Sequence, residues 1–168
     1  VRQGCRAAPL LWNSFLDLFF RQLASKISID WVKDTLTAFA DDIHQGTVFK
    51  TKQQLLDEIS RIGIILDTLE AMGLKLSLDK SYILLAIAGT QSRKIRAGLV
   101  KKDGTRFYLE IPRANGNISR IPVKKEADYL GTCLSYSTPE QHTFEKRVHC
   151  ARITFHRLRR WLRSPEIG

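Results

Sequence analysis

The sequence predicts an α+β fold in which helices pack on one face of an antiparallel sheet, followed by a strongly basic helix. Three observations carry the prediction. Helical and extended patterns succeed one another as helix, hairpin, helix and strand, the order of an α+β domain. Apolar residues repeat at steps of four and three in Leu55, Ile59, Ile62, Leu66 and Leu69, but at every second position in Leu74, Leu76 and Leu78. The chain also has 168 residues at 43% apolar content, enough for one sizeable core.

The first element is a helix from Pro9 to about Ile27. Proline suits its first turn, where an amide hydrogen would be unpaired anyway. Leu10, Leu11, Trp12, Phe15, Leu16, Leu18, Phe19, Phe20 and Leu23 make it apolar nearly all round, which predicts cover on several faces. Next, TLTAF and IHQGTVF flank Asp41 and Asp42 and supply the β-branched and aromatic residues of a hairpin whose turn carries two carboxylates. Thr51 and Gln54 have capping-box spacing and open a second helix, with Asp57 and Arg61 one turn apart as a surface pair and Gly73 as its cap. GLKLSLDKSYILLAI then reads as a strand that enters the core as it proceeds.

From Arg93 to Lys125 the pattern is strand-rich. Lys102-Asp103-Gly104 and Asn115-Gly116-Asn117 are turns, with strands at Arg106–Ile111 and Ile118–Val123 and many basic residues at their margins. Tyr129-Leu130-Gly131 and Thr132–Tyr136 form a further short hairpin, where Gly131 permits a turn or a close backbone approach. The last helix has Thr138 as its cap, Pro139 and Glu140 in its first turn, and Gln141 completing a capping box. Phe144, Val148, Ala151, Phe155, Leu158 and Leu162 line one side of it. Lys146, Arg147, Arg152, Arg157, Arg159, Arg160 and Arg163 line the other. A boundary falls between Ser135 and Thr138, dividing a body of residues 1–136, including the strand-rich 93–136 region, from a helical region of 137–168. There is no repeat at a fixed period and no low-complexity tract.

Against 17 Asp and Glu stand 27 Lys and Arg, a net charge of +10 with histidine neutral. Such a balance favours an anionic partner, most simply nucleic acid, although a solubilising surface accounts for it equally well. An anionic membrane is the weaker expectation, and PLLWNSFLDLFF is too short and too interrupted to span a bilayer. Cys5, Cys133 and Cys150 are odd in number and far apart, which fits an intracellular, reducing compartment.

Two adjacent carboxylates at a hairpin tip have a use in phosphoryl transfer. They can hold divalent cations that activate an attacking hydroxyl and balance charge on the transferring and leaving groups. Neighbouring strand residues point to opposite faces, so Asp41 is the expected principal ligand and Asp42 the auxiliary one. Turns also favour Asp for local hydrogen bonding alone. His142, His149 and His156 share a helical face, but their sevenfold spacing puts neighbours about 10 Å apart, too far for one tetrahedral ion.

RQGCRAAPLLWN (Arg2–Asn13), LTAFADDI (Leu36–Ile43), GLKLSLDKSYIL (Gly73–Leu84) and DYLG (Asp128–Gly131) resemble, in this order, four consecutive motifs of the reverse transcriptase palm. The FADD form is most similar to non-long-terminal-repeat, LINE-type retrotransposon enzymes. The resemblance implies a partial polymerase palm followed by the start of a thumb, acting on an RNA template, a DNA primer and deoxynucleoside triphosphates with two Mg²⁺ or Mn²⁺ ions in the complete site. Arg2, Gln3, Gly4 and Asn13 would contact template and nucleotide. Asp41 and Asp42 would be the catalytic metal ligands, and Lys80 would protonate pyrophosphate. Tyr129, Leu130 and Gly131 would form the primer grip, while Lys146, Arg152, Arg157, Arg159, Arg160 and Arg163 would follow the duplex backbone. Read from residue type alone, Gly4 suits a sharp turn, Lys80 a solvated strand edge and Tyr129 a half-buried core position. Arg6 and Ala8 depart from the Pro and Ser or Thr usual near that loop.

The resemblance further implies a third metal-binding Asp on a strand upstream of the RQG loop, together with fingers, both expected before Val1. Asp17, Asp30 and Asp79 are not placed to substitute. The expectation is therefore a fragment of an RNA-directed DNA polymerase that is inactive alone, found in the nucleus if retrotransposon-derived. Its alternative is a palm-derived module that binds nucleic acid or protein without turnover. A palm-like nucleotide cyclase ranks lower, since it explains neither the RQG loop nor the basic helix.

Overall fold

The structure, a computed structural model, describes residues 6–40, 42–129 and 132–162, with side chains through Arg159. Helix α1 (Ala8–Lys26) starts where expected, with Pro9 in its first turn. Phe19 and Leu23 are fully buried, but Leu10 is 70% exposed and Leu11 and Leu18 are also open. The predicted cover on several faces is therefore found on one. A second helix and the central helix pack against that face.

Helix α2 (Ile29–Thr35) has no counterpart in the sequence prediction. Ser28 caps it by accepting the Trp31 amide hydrogen at 3.4 Å, and Asp30 stands in its positive first turn. Strands β1 (Leu36–Phe39) and β2 (Asp42–Gln45) form the expected antiparallel hairpin, with Phe39 opposite Asp42. Asp42 is thus the first residue of a strand rather than part of the turn. The second strand is shorter than IHQGTVF predicts: it ends at Gln45, and the Gly46 amide closes the hairpin on the Thr35 carbonyl at 2.9 Å.

Helix α3 (Lys52–Ala71) carries the capping box that the sequence predicts, with Gln54 N–H donating to Thr51 Oγ1 and Thr51 N–H to Gln54 Oε1, each at 3.2 Å. Gly73 caps it at φ 86°. Its N–H reaches Glu70 O at 2.9 Å while Leu74 N–H reaches Leu69 O at 3.0 Å, so two otherwise orphaned carbonyls are satisfied. The predicted Asp57–Arg61 pair does not form. Arg61 pairs with Glu58, and Asp57 accepts from Gln53 at 2.9 Å.

Residues 74–79 retain the predicted alternation, the leucines half-buried and Lys75, Ser77 and Asp79 exposed, but no ladder forms there. Only β3 (Ile83–Leu84) is a strand, and it pairs in parallel. Helix α4 (Ser92–Leu99), absent from the sequence prediction, leads into β4 (Val100–Asp103), β5 (Arg106–Pro112) and β6 (Ile118–Lys124). The sheet order is β3-β6-β5-β4, antiparallel except at β3. Hairpin β7 (Glu126–Tyr129) and β8 (Thr132–Ser135) forms a further sheet.

Helix α3 stands between two cores. Ile65 and Leu69 join Phe19, Leu23, Val32 and Leu36, while Leu55, Ile59 and Leu66 join Leu109, Ile111 and Ile121 of the four-stranded sheet. The helix approaches that sheet closely at Gly63, where an added Cβ would lie 2.2 Å from Pro112 O. Buried Arg113 fastens the same face through Asp67 at 2.7 Å, Glu70 at 2.6 Å and Ser119 at 2.8 Å.

Helix α5 (Pro139–Leu162) is long and begins as predicted at Pro139. Its entry differs from the predicted cap. Thr138 takes φ 44°, a left-handed conformation unlike the extended backbone of an N-cap, and the Gln141 side chain donates from Nε2 to Glu145 Oε1 at 2.8 Å rather than turning back. The apolar stripe is open: Phe144 is 68% and Phe155 55% exposed. Its first turns meet hairpin β7–β8, where the Cys133 amide donates to Thr143 Oγ1.

Candidate functional site

The acidic hairpin is fixed at both ends. At its tip, Ala40 has φ 49°, a left-handed conformation suited to a two-residue turn but unfavourable for a residue with a Cβ. The indole N–H of Trp12 donates to the carbonyl of this same residue, so α1 holds the tip. At the open end, Glu58 accepts from Trp31 Nε1 at 3.2 Å and from Gln45 Nε2 at 3.1 Å while pairing with Arg61. The Arg61 guanidinium also lies 5.3 Å from the centre of the Trp31 ring. One carboxylate thereby joins α2, β2 and α3.

Trp12, Trp31 and Glu58 are positioning residues absent from the sequence-derived candidates. Trp12 lies within the first quoted motif, but its 28-residue separation from Ala40 leaves no local signal. Glu58 occupies a half-buried position on α3, and an unpaired acid there would be costly, which is a weak pointer to a partner.

Asp42 is exposed at the start of β2, and Phe39 opposite it is 59% exposed. Three aromatic residues gather beside this hairpin. The His44 ring lies 5.5 Å from that of Tyr129, so β2 stands against β7. Tyr82 donates its hydroxyl to Asp128 O at 3.0 Å, and Lys124 Nζ lies 4.9 Å from the Tyr82 ring centre. Burial pushes the Tyr82 phenol above its ordinary value, and the negative charges of Asp42 and Asp128 push the same way. Tyr129 is half-buried, and its hydroxyl finds no hydrogen-bond partner among the described residues.

The fold therefore brings Asp42, Tyr82 and Tyr129 into one neighbourhood. It does not connect Lys80 to them: Lys80 is exposed in the 78–80 turn, and no hydrogen bond or ion pair among the described residues joins it to Asp42. Asn13 is exposed on α1 beside Trp12. Asp41, Arg2, Gln3, Gly4, Leu130, Gly131 and Arg163 lie outside the described residues, as does the side chain of Arg160. On α5, Lys146 is paired with Asp128, and that hydrogen bond raises its pKa. Arg152, Arg157 and Arg159 are exposed and enter no ion pair among the described residues.

An exposed Asp offers the hard oxygen donors that suit Mg²⁺ or Mn²⁺. Among the described residues no group of three metal-ligating side chains includes Asp42. The acidic hairpin is thus braced at both ends on an α+β frame. The chain belongs to the reverse transcriptase family: the family model described as Reverse transcriptase (RNA-dependent DNA polymerase) matches residues 1–134. The match ends within β8, so α5 lies beyond it. Comparison with curated proteins finds no match, and comparison with solved structures finds none either. Members of this family copy an RNA template into DNA from a primer and deoxynucleoside triphosphates, typically with divalent metal ions. No helix among the described residues is long and apolar enough to cross a membrane.

Proposed function

We propose that the chain is the palm and the beginning of the thumb of a non-long-terminal-repeat, LINE-type reverse transcriptase, with residues 1–136 as palm and 137–168 as thumb start. The carrying observation is the acidic hairpin, whose tip is held by Trp12 and whose base is held by Glu58. In the complete site Asp41 and Asp42 would be among the ligands of two Mg²⁺ or Mn²⁺ ions, which when bound lower the barrier to attack by the primer hydroxyl and balance charge on pyrophosphate. The chain's own side chains then have separable tasks. Trp12 and Glu58 keep the carboxylates in place, since misplacement of a reacting group by about 1 Å can cost about 100-fold in rate. Tyr129, with Leu130 and Gly131, supports the primer next to them, and the exposed arginines of α5 neutralise duplex phosphates.

The proposal includes inactivity of the chain in isolation. Primer extension on an RNA template tests both statements. The chain alone should give no product, and the full-length polypeptide that contains it should extend the primer. Asp41→Asn or Asp42→Asn in the full-length polypeptide should lower that rate at least about 100-fold. Near-normal extension by both variants would refute the proposal.

A second reading is a module that binds nucleic acid without turnover, favoured by the exposed Arg152, Arg157 and Arg159. It predicts salt-sensitive duplex binding together with no extension by the full-length polypeptide.

A further inference from the structure

Helical spacing keeps His142, His149 and His156 from sharing an ion, but the fold gives His142 partners from another element. In hairpin β7–β8, Cys133 stands opposite Asp128, and Glu126 lies two residues before Asp128. The pleat therefore sends Glu126, Asp128 and Cys133 to one face. The first turns of α5 cross that face. His142 Nδ1 lies 2.8 Å from Glu126 Oε2, and one ligand atom from each of Glu126, Cys133 and His142 falls within 4.8 Å of the other two. Glu145 and His149, one and two turns further along, line the same open cavity of about 580 Å³.

We propose that Glu126, Cys133 and His142 form a zinc site that fastens hairpin β7–β8 to α5. A thiolate, an imidazole and a carboxylate are the donor types zinc accepts, with bonds of about 2.3 Å to sulfur and about 2.0–2.2 Å to nitrogen and oxygen. Donors around a tetrahedral ion of that size stand about 3–4 Å apart, so the observed cluster closes around the ion through small side-chain rotations. Cys133 is held for this purpose. It is 6% exposed, and its backbone N–H donates to Thr143 Oγ1 of α5 at 3.0 Å.

The neighbouring cations do not occupy the cluster. Lys146 is taken by Asp128, and Lys124 lies over the Tyr82 ring. Binding would replace the His142–Glu126 hydrogen bond by two metal bonds and release the Cys133 thiol proton to solvent. The cavity leaves a fourth position for water. Because the three ligands come from β7, β8 and α5, the ion would fix the helix to the hairpin that also carries Tyr129.

Cobalt is a direct probe, since a cysteine ligand gives a thiolate-to-cobalt charge-transfer band. Chelator-treated chain titrated with Co²⁺ should develop that band, saturating at about one ion per chain, and Zn²⁺ should abolish it by displacement. Cys133→Ser should remove the band. Glu126→Gln and His142→Gln should each weaken binding at least about tenfold, and His156→Gln should leave it unchanged. No band in the unmodified chain would overturn the proposal, as would a band that survives Cys133→Ser. Glu126 is exposed, so its substitution leaves folding intact and keeps the test open even if Cys133→Ser misfolds. Unchanged affinity in both Glu126→Gln and His142→Gln would also overturn the proposal.

Discussion

Ala40 concentrates the local cost of presenting the acidic hairpin. Its left-handed backbone costs about 1 kcal/mol for a residue with a Cβ, and Trp12 secures its carbonyl. Gly63 answers a different demand. A Cβ there would meet Pro112 O at 2.2 Å, a rigid backbone atom, so Gly63→Ala must push α3 away from β5. We expect destabilisation by about 1–3 kcal/mol, read as a lower denaturant midpoint. An unchanged midpoint would contradict the close approach. Tyr82 reports on Asp42. Its phenol should titrate above 10.0, and Asp42→Asn should lower the midpoint without fully restoring it, because burial is the larger cause. Since the folded chain holds this proton more tightly, its contribution to stability is complete below 10.0 and declines as the pH rises past that value. A Tyr82 midpoint insensitive to Asp42→Asn would separate the two residues. The carboxylates themselves were visible in sequence as a doubled Asp between short strands. Trp12 and Glu58 were not, because Ala40 lies 28 residues from Trp12, and Trp31 and Gln45 lie 27 and 13 residues from Glu58.

Among the elements, those with local signals matched prediction best. The Thr51–Gln54 box and Gly73 delimit α3 because capping is satisfied by immediate neighbours. Helix α2 was missed although Ser28 and Asp30 mark its start, since seven residues give too little periodicity. Helix α4 was missed for a similar reason: Ile95 and Leu99 are its only large apolar residues. Residues 74–79 show the opposite failure. Alternating leucines indicate which side faces the core, but a strand also needs a paired neighbour, and only Ile83 and Leu84 have one. On α5 the charged face was legible, whereas the exposure of Phe144 and Phe155 was not, because sequence gives an apolar stripe without saying what covers it. If that helix follows a duplex, the double variant Arg157→Ala and Arg159→Ala should weaken primer–template binding. The slope of log affinity against log salt should also fall by about 1–2. An unchanged slope would remove α5 from the nucleic-acid surface.

Across the whole molecule, α3 joins two cores, one under the acidic hairpin and one under the four-stranded sheet. The hairpin is therefore mounted on buried structure while Asp42 stays exposed. Family membership over residues 1–134 assigns the chain to reverse transcriptases, and the metal site proposed for it is the acidic hairpin. Paramagnetic Mn²⁺ added to isotope-labelled chain tests that location directly, because amide signals near a bound ion broaden. Broadening is expected first at Phe39, Ala40, Ile43 and His44, and it should vanish in the double variant Asp41→Asn and Asp42→Asn. Sharp hairpin signals at saturating Mn²⁺, or broadening that persists in the double variant, would contradict a metal site at this hairpin.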